Sequence, residues 1–413
     1  MIAAPTSQLD CSQDGPACAG PAPSTPAPRP AARITGHNII CIANRWDYDP
    51  TSKHQVMRIL ARDNRVLWVN YRGSRRPRAS WADAGAAVAT LRSVLAGARR
   101  VDDSIVQLTP LVAPGAKRPW LRSLNERMVV AQIRRVLATL PSAPVQVWTF
   151  APDVAFLAGR FGEQQLIYYC VDEYACFEDF DGPAIASAER RLIDRADVVI
   201  TTSDALQRSK SRLHPNVHLV RHGVEVEHFS AAVDRDLPLP SDLEDIPRPM
   251  FGFFGLVHHW FDVGLLAAVA RARSGDSFVL LGDCPADVTS LRELPNVHLL
   301  GRKPYRELPA YCRAFDAALL PFRINDMTRN INPIKLREYL AAGLPVISTP
   351  LPEALPYQPD VLIADDAESF ARQCGLALTL SDPPARRRRS QRVAGESWEN
   401  VVQRLAEIVQ PTG

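Results

Sequence analysis

The segment Asn332–Thr349, NPIKLREYLAAGLPVIST, places a lysine and a glutamate three positions apart near the start of a predicted helix. Asn332 is a suitable N-cap, and Pro333 suits the first helical turn. The helix N-terminus and Lys335 attract phosphate, while Glu338, on the same helix face, can accept hydrogen bonds from two ribose hydroxyls. The pattern predicts a nucleoside diphosphate site or, alternatively, an ordinary ion pair on an amphipathic helix.

Further candidates occur earlier in the chain, after predicted strands. Asp172 directly follows one strand, where a carboxylate could accept a proton from a hydroxyl as a general base, and Glu173 is its alternative. His222, a third catalytic candidate, follows a later strand, and His54 and Gln55, after the first strand, are candidates for contact with a substrate. For each of these residues the competing interpretation is structural: a capping or solvated carboxylate, or a histidine in a core or turn.

Charge is unevenly distributed along the 413 residues, although the net charge is only +3. Residues Ala31–Leu140 contain 19 Lys and Arg against 7 Asp and Glu, with basic clusters at Arg72–Arg78 and Ala116–Arg122. Such a surface attracts anionic lipid head groups or phosphates, and the alternative is a solvated face. No nucleic-acid partner is expected.

The eight cysteines include no Cys-x-x-Cys pair and no metal-ligand spacing, which is typical of a reducing compartment. We find no uncharged apolar run of the roughly 18 residues that a membrane-spanning helix needs. The first 30 residues contain seven prolines and no apolar segment, so we expect a disordered tail and no signal peptide. The predicted location is the cytoplasm, with the basic region against the inner membrane face.

Strands alternate with helices from Asn38 onward, which predicts parallel sheets covered on both faces. Helices are predicted at Lys53–Asn64, Trp81–Arg100, Trp120–Leu140 and Ala184–Ala196, and a final one at Ser397–Val409. The predicted strands are Asn38–Ala43, Arg65–Tyr71, Val145–Phe150, Leu166–Asp172, Asp197–Ser203, Val217–Gly223, Met250–Val257, Ser277–Asp283, Val297–Arg302, Phe315–Phe322, Leu344–Thr349 and Asp360–Asp365.

Two such α/β runs are separated by an acidic, proline-containing stretch. The predicted organisation is a tail (1–33), an N-terminal Rossmann-like domain (34–230), a linker (231–249), a C-terminal Rossmann-like domain (250–395) and a C-terminal helix with its tail (396–413). Two doubly wound domains of this kind face each other across a cleft. Ligands are expected outside the carboxyl ends of the strands.

The order and spacing of several motifs resemble the GT-B glycosyltransferases of the group that builds polysaccharides and other glycoconjugates. The motifs are NPIKLREYLAAGLPVIST, FGFFGLVHHWFD, VHLLGRKPYRELPAY, FDAALLPF, DVVITTSDAL and VRHGVEVEHF. The resemblance covers about Asn38–Val409 and implies a nucleoside-diphosphate sugar donor in the C-terminal domain. It implies that Glu338 holds the ribose, Lys335 holds the phosphates at the Phe254–Gly255 turn, and Arg302 lies near the base.

This chain differs from the group at two places. Many relatives carry two glutamates eight positions apart, whereas Asn330 occupies the first of these positions here. Many also carry an arginine and a lysine that clamp the diphosphate, whereas this chain offers His258 and His259, which are weaker clamps. No metal motif is present, and the resemblance implies catalysis without a metal or other cofactor.

The resemblance implies transfer of a sugar to a hydroxyl of a saccharide, lipid-linked in our interpretation, during exopolysaccharide or cell-surface glycan synthesis. A base at Asp172 favours inversion of the configuration at the transferred sugar's anomeric carbon. Relatives with the Glu338 motif mostly retain that configuration, so both outcomes stay open. The alternatives are a sugar-nucleotide 2-epimerase and a non-catalytic GT-B-like scaffold of a polysaccharide assembly complex. A dehydrogenase is disfavoured because no Gly-x-Gly-x-x-Gly follows the first strand.

Overall fold

The structure is a computed structural model that describes residues 32–47, 50–71, 97–113, 118–178, 180–234 and 236–409. Two sheets organise these residues. No helix within them is long and apolar enough to cross a membrane.

The first sheet has eight strands in the order β3-β4-β2-β1-β5-β6-β7-β8. Seven strands are parallel, and β3 alone pairs antiparallel, with β4. The strands are β1 (Asn38–Ala43), β2 (Arg65–Asn70), β3 (Ala98–Arg100), β4 (Ile105–Leu108), β5 (Val145–Thr149), β6 (Gln165–Cys170), β7 (Val198–Thr201) and β8 (Val217–Leu219).

The second sheet has six parallel strands in the order β11-β10-β9-β12-β13-β14. Its strand order reverses at β9, which lies between β10 and β12, and such a switch point leaves a crevice at the carboxyl ends of the strands. The strands are β9 (Met250–Phe254), β10 (Ser277–Leu281), β11 (Val297–Gly301), β12 (Ala317–Leu320), β13 (Val346–Ser348) and β14 (Val361–Ile363).

Helices follow most strands, as right-handed crossover connections between parallel strands require. Those of the first run are α1 (Ser52–Leu60), α2 (Pro119–Leu137), α3 (Gly182–Ile193), α4 (Asp204–Lys210) and α5 (Val226–Asp234). Those of the second run are α6 (Val263–Ala272), α7 (Thr289–Arg292), α8 (Leu308–Ala314), α9 (Ile334–Ala341), α10 (Ala367–Leu378), α11 (Pro383–Arg392) and α12 (Trp398–Val409).

Side chains of the first sheet alternate between two cores, as the two-residue period of a strand requires. In β1, Ile39 and Cys41 face one core, and Ile40 and Ile42 face the other. Helices therefore cover both faces of this sheet. The six-stranded sheet has a third core of its own.

The C-terminal helix α12 returns to the first sheet. Trp398, Val402 and Leu405 pack in the same core as Val56 and Leu60 of α1. The chain thus passes twice between the two sheets, once after β8 and once before α12. The passages touch: Val224 forms a bridge with Ser397, and a Cβ added at Gly223 would lie 2.9 Å from the Trp398 nitrogen.

Most predicted strands and helices are confirmed, with shifts at their ends. The predicted strand over 217–223 stops at Leu219, because the following residues form the passage to the second sheet. The predicted helix Trp81–Arg100 lies outside the described residues except for its last four, and three of those, Ala98–Arg100, form β3. The predicted end of that helix was therefore wrong. The basic cluster Arg72–Arg78 and the N-terminal tail also lie outside the described residues, apart from the last residues of the tail.

Candidate functional site

The predicted phosphate turn lies at the end of β9, at the switch point of the second sheet. Gly255 has φ +137°, and a Cβ built on it would overlap Lys335 Cε, so only glycine leaves room for the lysine side chain. The Gly255 N–H donates to Leu281 O at 2.8 Å. Gly255 therefore provides space at the crevice. Its N–H group is already bonded to the backbone of β10 and is not available to a ligand.

Lys335 and Glu338 lie together at this turn. Lys335 Nζ is 3.6 Å from Glu338 Oε2 and 4.9 Å from the centre of the Phe254 ring. Glu338 is buried, and Oε2 has no hydrogen-bond partner among the described residues. A buried carboxylate oxygen that accepts no hydrogen bond is costly, and a hydroxyl-bearing ligand would satisfy it. This pair thus fits a ligand that carries both phosphate and hydroxyl groups.

Burial raises the pKa of Glu338, and Lys335 opposes that rise. Three residues that the sequence analysis missed lie around the same carboxylate. The charge of Glu225 adds to the rise, and His228 lowers the Glu338 pKa. Tyr305 stacks on His228, with ring centres 4.7 Å apart. Their separation from Glu338 along the chain left no local pattern that could have identified them.

Asn332 does not have the predicted capping role. Helix α9 begins at Ile334 with Pro333 in the N-cap position, and that cap has no side-chain hydrogen bond. The buried Asn332 amide instead donates to Thr202 O at 2.8 Å and to Glu353 Oε2 at 3.0 Å. It links the two runs of the chain because its partners come from both. The predicted glycine at the other end of α9 is confirmed, since Gly343 has φ +75° just after the helix.

The remaining predicted donor residues lie at or near carboxyl ends of the second sheet. Arg302 is exposed directly after β11. His258 follows β9, bonds His259 and stacks on Trp260 with ring centres 4.8 Å apart. Asn330 lies in the loop before α9, where its amide donates to Asp326 O at 2.6 Å. Its carbonyl accepts from Ser203 at 2.6 Å, so this loop also contacts the first run.

Asp172 follows β6 of the first sheet and is partly buried. Burial raises its pKa, and the positive charge of Lys53 opposes the rise. Lys53, in the first turn of α1, has a lowered pKa because burial outweighs the attraction of Asp172. Lys53 is a fourth residue that the sequence analysis missed, although it directly precedes the candidate His54. A carboxylate and an amine with perturbed pKa values are typical of functional sites.

Glu173, the alternative base, is held elsewhere. Its carboxylate accepts from Lys210 Nζ at 2.9 and 3.1 Å, and Lys210 also donates to the buried Glu189 at 2.8 Å. Tyr168 donates to the same Glu189 at 2.6 Å. A carboxylate fixed in this network is a structural anchor, so Asp172 is the stronger candidate.

The three other first-run candidates also have structural contacts. His54 is fully buried between Trp68 and Trp46, with ring centres 4.8 and 5.3 Å away, and burial lowers its pKa to about 4. Gln55 donates to Glu225 Oε2 at 2.7 Å, which brings it to the surroundings of Glu338. His222 is buried, and burial lowers its pKa to about 3, so it is neutral near pH 7. Neither histidine is suited to proton transfer at that pH.

Residues 248–379, which contain the whole Gly255–Lys335–Glu338 arrangement, match the family model Glycosyl transferases group 1. This segment is a group 1 glycosyl transferase domain. Over 252 residues the chain is 29% identical to TuaH of Bacillus subtilis (strain 168), which is assigned as a glycosyltransferase of teichuronic acid biosynthesis. That alignment covers 56% of this chain and 63%, less than two thirds, of the length of TuaH.

Solved structures establish the fold around the group 1 domain. Sucrose-phosphate synthase from Thermosynechococcus elongatus has a TM-score of 0.64 at 15% identity and covers 90% of this chain and 98% of its own. Anabaena Alr3699/HepE, solved with UDP and glucose, has a TM-score of 0.63 at 14% identity and covers 89% of this chain and 98% of its own. The chain has the GT-B fold. Among the described residues, no cluster of three or more His, Cys, Asp or Glu could hold a metal ion.

Proposed function

We propose that the chain is a GT-B glycosyltransferase that moves a sugar from a nucleoside-diphosphate sugar to a hydroxyl of a saccharide acceptor. The observation that carries the proposal is the buried Glu338 oxygen that pairs with Lys335 but has no hydrogen-bond partner among the described residues, inside the group 1 domain. The UDP and glucose in the Anabaena relative support the donor class. The assignment of TuaH to teichuronic acid synthesis supports a cell-surface glycan, for which we propose a lipid-linked acceptor.

Each residue of the proposed nucleotide-sugar site has a distinct role. Glu338 accepts hydrogen bonds from the ribose, and these bonds favour its ionised form. Lys335 neutralises the diphosphate as the sugar leaves, an electrostatic effect that grows in a site from which water is excluded. Arg302 lies on the base side, and His258 and Asn330 lie on the sugar and phosphate side. Asp172, from the opposite sheet, accepts the proton of the acceptor hydroxyl, without a metal ion or other cofactor.

The first test measures donor binding by calorimetry across UDP-, GDP-, dTDP- and ADP-sugars. For the donor that wild type binds, Glu338→Ala should weaken the affinity roughly 10- to 100-fold, because charge-assisted hydrogen bonds to the ribose are lost. Glu368→Ala is the matched control, since that side chain is 86% exposed on α10. It should bind the donor as wild type does.

Donor binding, together with product analysis of the same mixtures, separates the alternatives. Equal donor affinity in wild type and Glu338→Ala would remove Glu338 from the site. Failure of every donor to bind would favour the non-catalytic scaffold. Conversion of the donor sugar to its 2-epimer without any acceptor would identify a sugar-nucleotide 2-epimerase instead.

We also propose that the protein acts in the cytoplasm, with α2 and the adjoining segment against an anionic membrane. Trp120 and Leu124, one helical turn apart, are 62% and 43% exposed, and Leu111 and Val112 nearby are 50% and 47% exposed. Gln132 ties Leu111 to α2 through bonds of 2.9 Å in both directions. The same helix and its N-cap also carry exposed arginines: Arg118, Arg122, Arg127, Arg134 and Arg135. A helix that exposes aromatic, apolar and arginine side chains fits an anionic lipid interface.

Vesicle sedimentation tests this surface. The full chain should bind phosphatidylcholine vesicles that contain phosphatidylglycerol, and raised salt should weaken the binding because screening shortens the electrostatic range. The double variant Trp120→Ser, Leu124→Ser should lose at least about tenfold in affinity, from the loss of apolar burial. Leu376→Ser, which changes a leucine 47% exposed on α10, is the control. Equal binding by both variants would exclude α2 as the docking surface.

A further inference from the structure

A cavity lies at the two passages between the sheets, and none of the proposed donor-site residues lines it. Its volume is about 620 Å³, within the range of roughly 300–1,000 Å³ that is typical of small-molecule sites. We call it the hinge cavity. The residues of its wall that matter for ligand chemistry are Arg221, His222, Tyr357, Arg392, Glu396 and Arg404.

Two of its arginines are fixed by ion pairs. Arg221 binds Glu353 at 2.7 Å and Asp204 at 2.5 Å. Arg392 binds Asp360 at 2.7 Å and donates to the Tyr357 carbonyl at 3.0 Å. Guanidinium groups held in this way need no reordering on ligand binding, which lowers the entropic cost of association.

The third arginine is uncompensated. Arg404 is exposed on α12, and the structure records no ion-pair partner for it within the described ranges. Burial lowers the pKa of His218, and the charge of Arg404 lowers it further. The single carboxylate in the wall, Glu396, is neutralised by the fully buried Arg337 at 2.6 Å. The wall therefore presents a surplus of positive charge.

The wall also contains a buried polar group without a hydrogen-bond partner. His222 is only 6% exposed, and its Nδ1 has no hydrogen-bond partner in the described part of the chain. As a neutral imidazole it can exchange a hydrogen bond with a hydroxyl. Arg337, which Tyr357 and Glu396 contact, lies behind the wall and does not line the cavity. A buried polar atom without a hydrogen-bond partner in a cavity wall, such as His222 Nδ1, indicates a polar ligand.

We propose that the hinge cavity binds a small phosphorylated sugar, with its phosphate at Arg404 and its hydroxyls toward His222. Arginine is the side chain best suited to phosphate, because its planar donors match the phosphate oxygens. The wall combines residues from the first passage, from the loop before β14, from the end of α11 and the second passage, and from α12. A ligand bound there contacts these segments, so its affinity depends on how the two sheets are arranged.

Calorimetry of the full chain with glucose 6-phosphate tests the proposal, with excess UDP present to occupy the donor site. We expect binding that persists in UDP, that is weaker for inorganic phosphate and that is absent for glucose. Arg404→Gln should weaken glucose 6-phosphate binding roughly 10- to 100-fold, from the loss of a charge-assisted hydrogen bond. Arg388→Gln, at an exposed arginine on α11 outside the wall, should bind as wild type does.

Three results would overturn the proposal. The first is no binding of glucose 6-phosphate, or binding abolished by UDP, which would place the sugar phosphate in the donor site. The second is an unchanged affinity in Arg404→Gln. The third is inorganic phosphate binding as tightly as glucose 6-phosphate, which would exclude recognition of the sugar.

Discussion

At the scale of single residues, the proton equilibrium of Asp172 decides whether it can act as a base. Burial raises its pKa, so the acid limb of the pH profile for turnover should lie above the usual aspartate range. Below that pKa the carboxyl is protonated and cannot accept a proton, and above it the base is available. Lys53 holds the pKa down. Lys53→Met should therefore move the acid limb to higher pH.

Donor hydrolysis by Asp172→Asn tests the same role without a known acceptor. Turnover should fall by about 10²- to 10⁴-fold while donor affinity stays near that of wild type. Asp194→Asn, at an exposed position, should change neither quantity. Wild-type turnover in Asp172→Asn, or no shift of the acid limb in Lys53→Met, would take Asp172 out of the mechanism.

Three residues, Gly343, Asn332 and Glu225, show which features of the site can be predicted from one sequence. The glycine after α9 could be predicted because a helix end is a local pattern, and the structure confirms it at Gly343. Asn332 was predicted as a cap from an equally local pattern, yet it bonds Thr202 and Glu353, which are far away in the chain. No local sequence pattern indicated that Glu225 would lie near Glu338. Local patterns predict backbone shape, whereas contacts between distant segments depend on the whole packing.

At the scale of elements, α12 tests whether the last helix holds the first sheet together. Leu405 is fully buried against the core that includes α1. Leu405→Ala should lower the free energy of unfolding by about 2–5 kcal/mol, from lost burial and the cavity left behind. Urea denaturation of the full chain measures the change. Gln403→Ala, exposed on the same helix, should leave stability nearly unchanged.

If Leu405→Ala and Gln403→Ala lowered the free energy of unfolding equally, the loss would come from weaker helix formation and not from lost packing on the first sheet. The sequence predicted the existence and length of α12, because its apolar residues recur with helical spacing. It did not predict which sheet the helix covers. Both sheets have apolar faces, and the choice depends on the surface that the first sheet leaves open between α1 and the passages.

At the scale of the whole molecule, a buried carboxylate connects the two runs of the chain. Glu353 is 3% exposed and accepts from the Asp204 backbone at 2.9 Å, from Arg221 at 2.7 Å and from Asn332 at 3.0 Å. Its partners satisfy a charge that would otherwise be costly to bury. The GT-B architecture could be predicted from motif order, but this connection could not, because the sequence around Glu353 resembles an ordinary loop.

The return of α12 to the first sheet also has a consequence for building chimaeras. The first sheet is completed by both ends of the chain, so the group 1 domain lies in the sequence as an insertion between β8 and α12. An exchange of donor specificity with a relative should therefore transplant an internal cassette that starts after Gly223 and ends before Trp398. A fusion with only one junction would leave a foreign C-terminal helix on the host's first core.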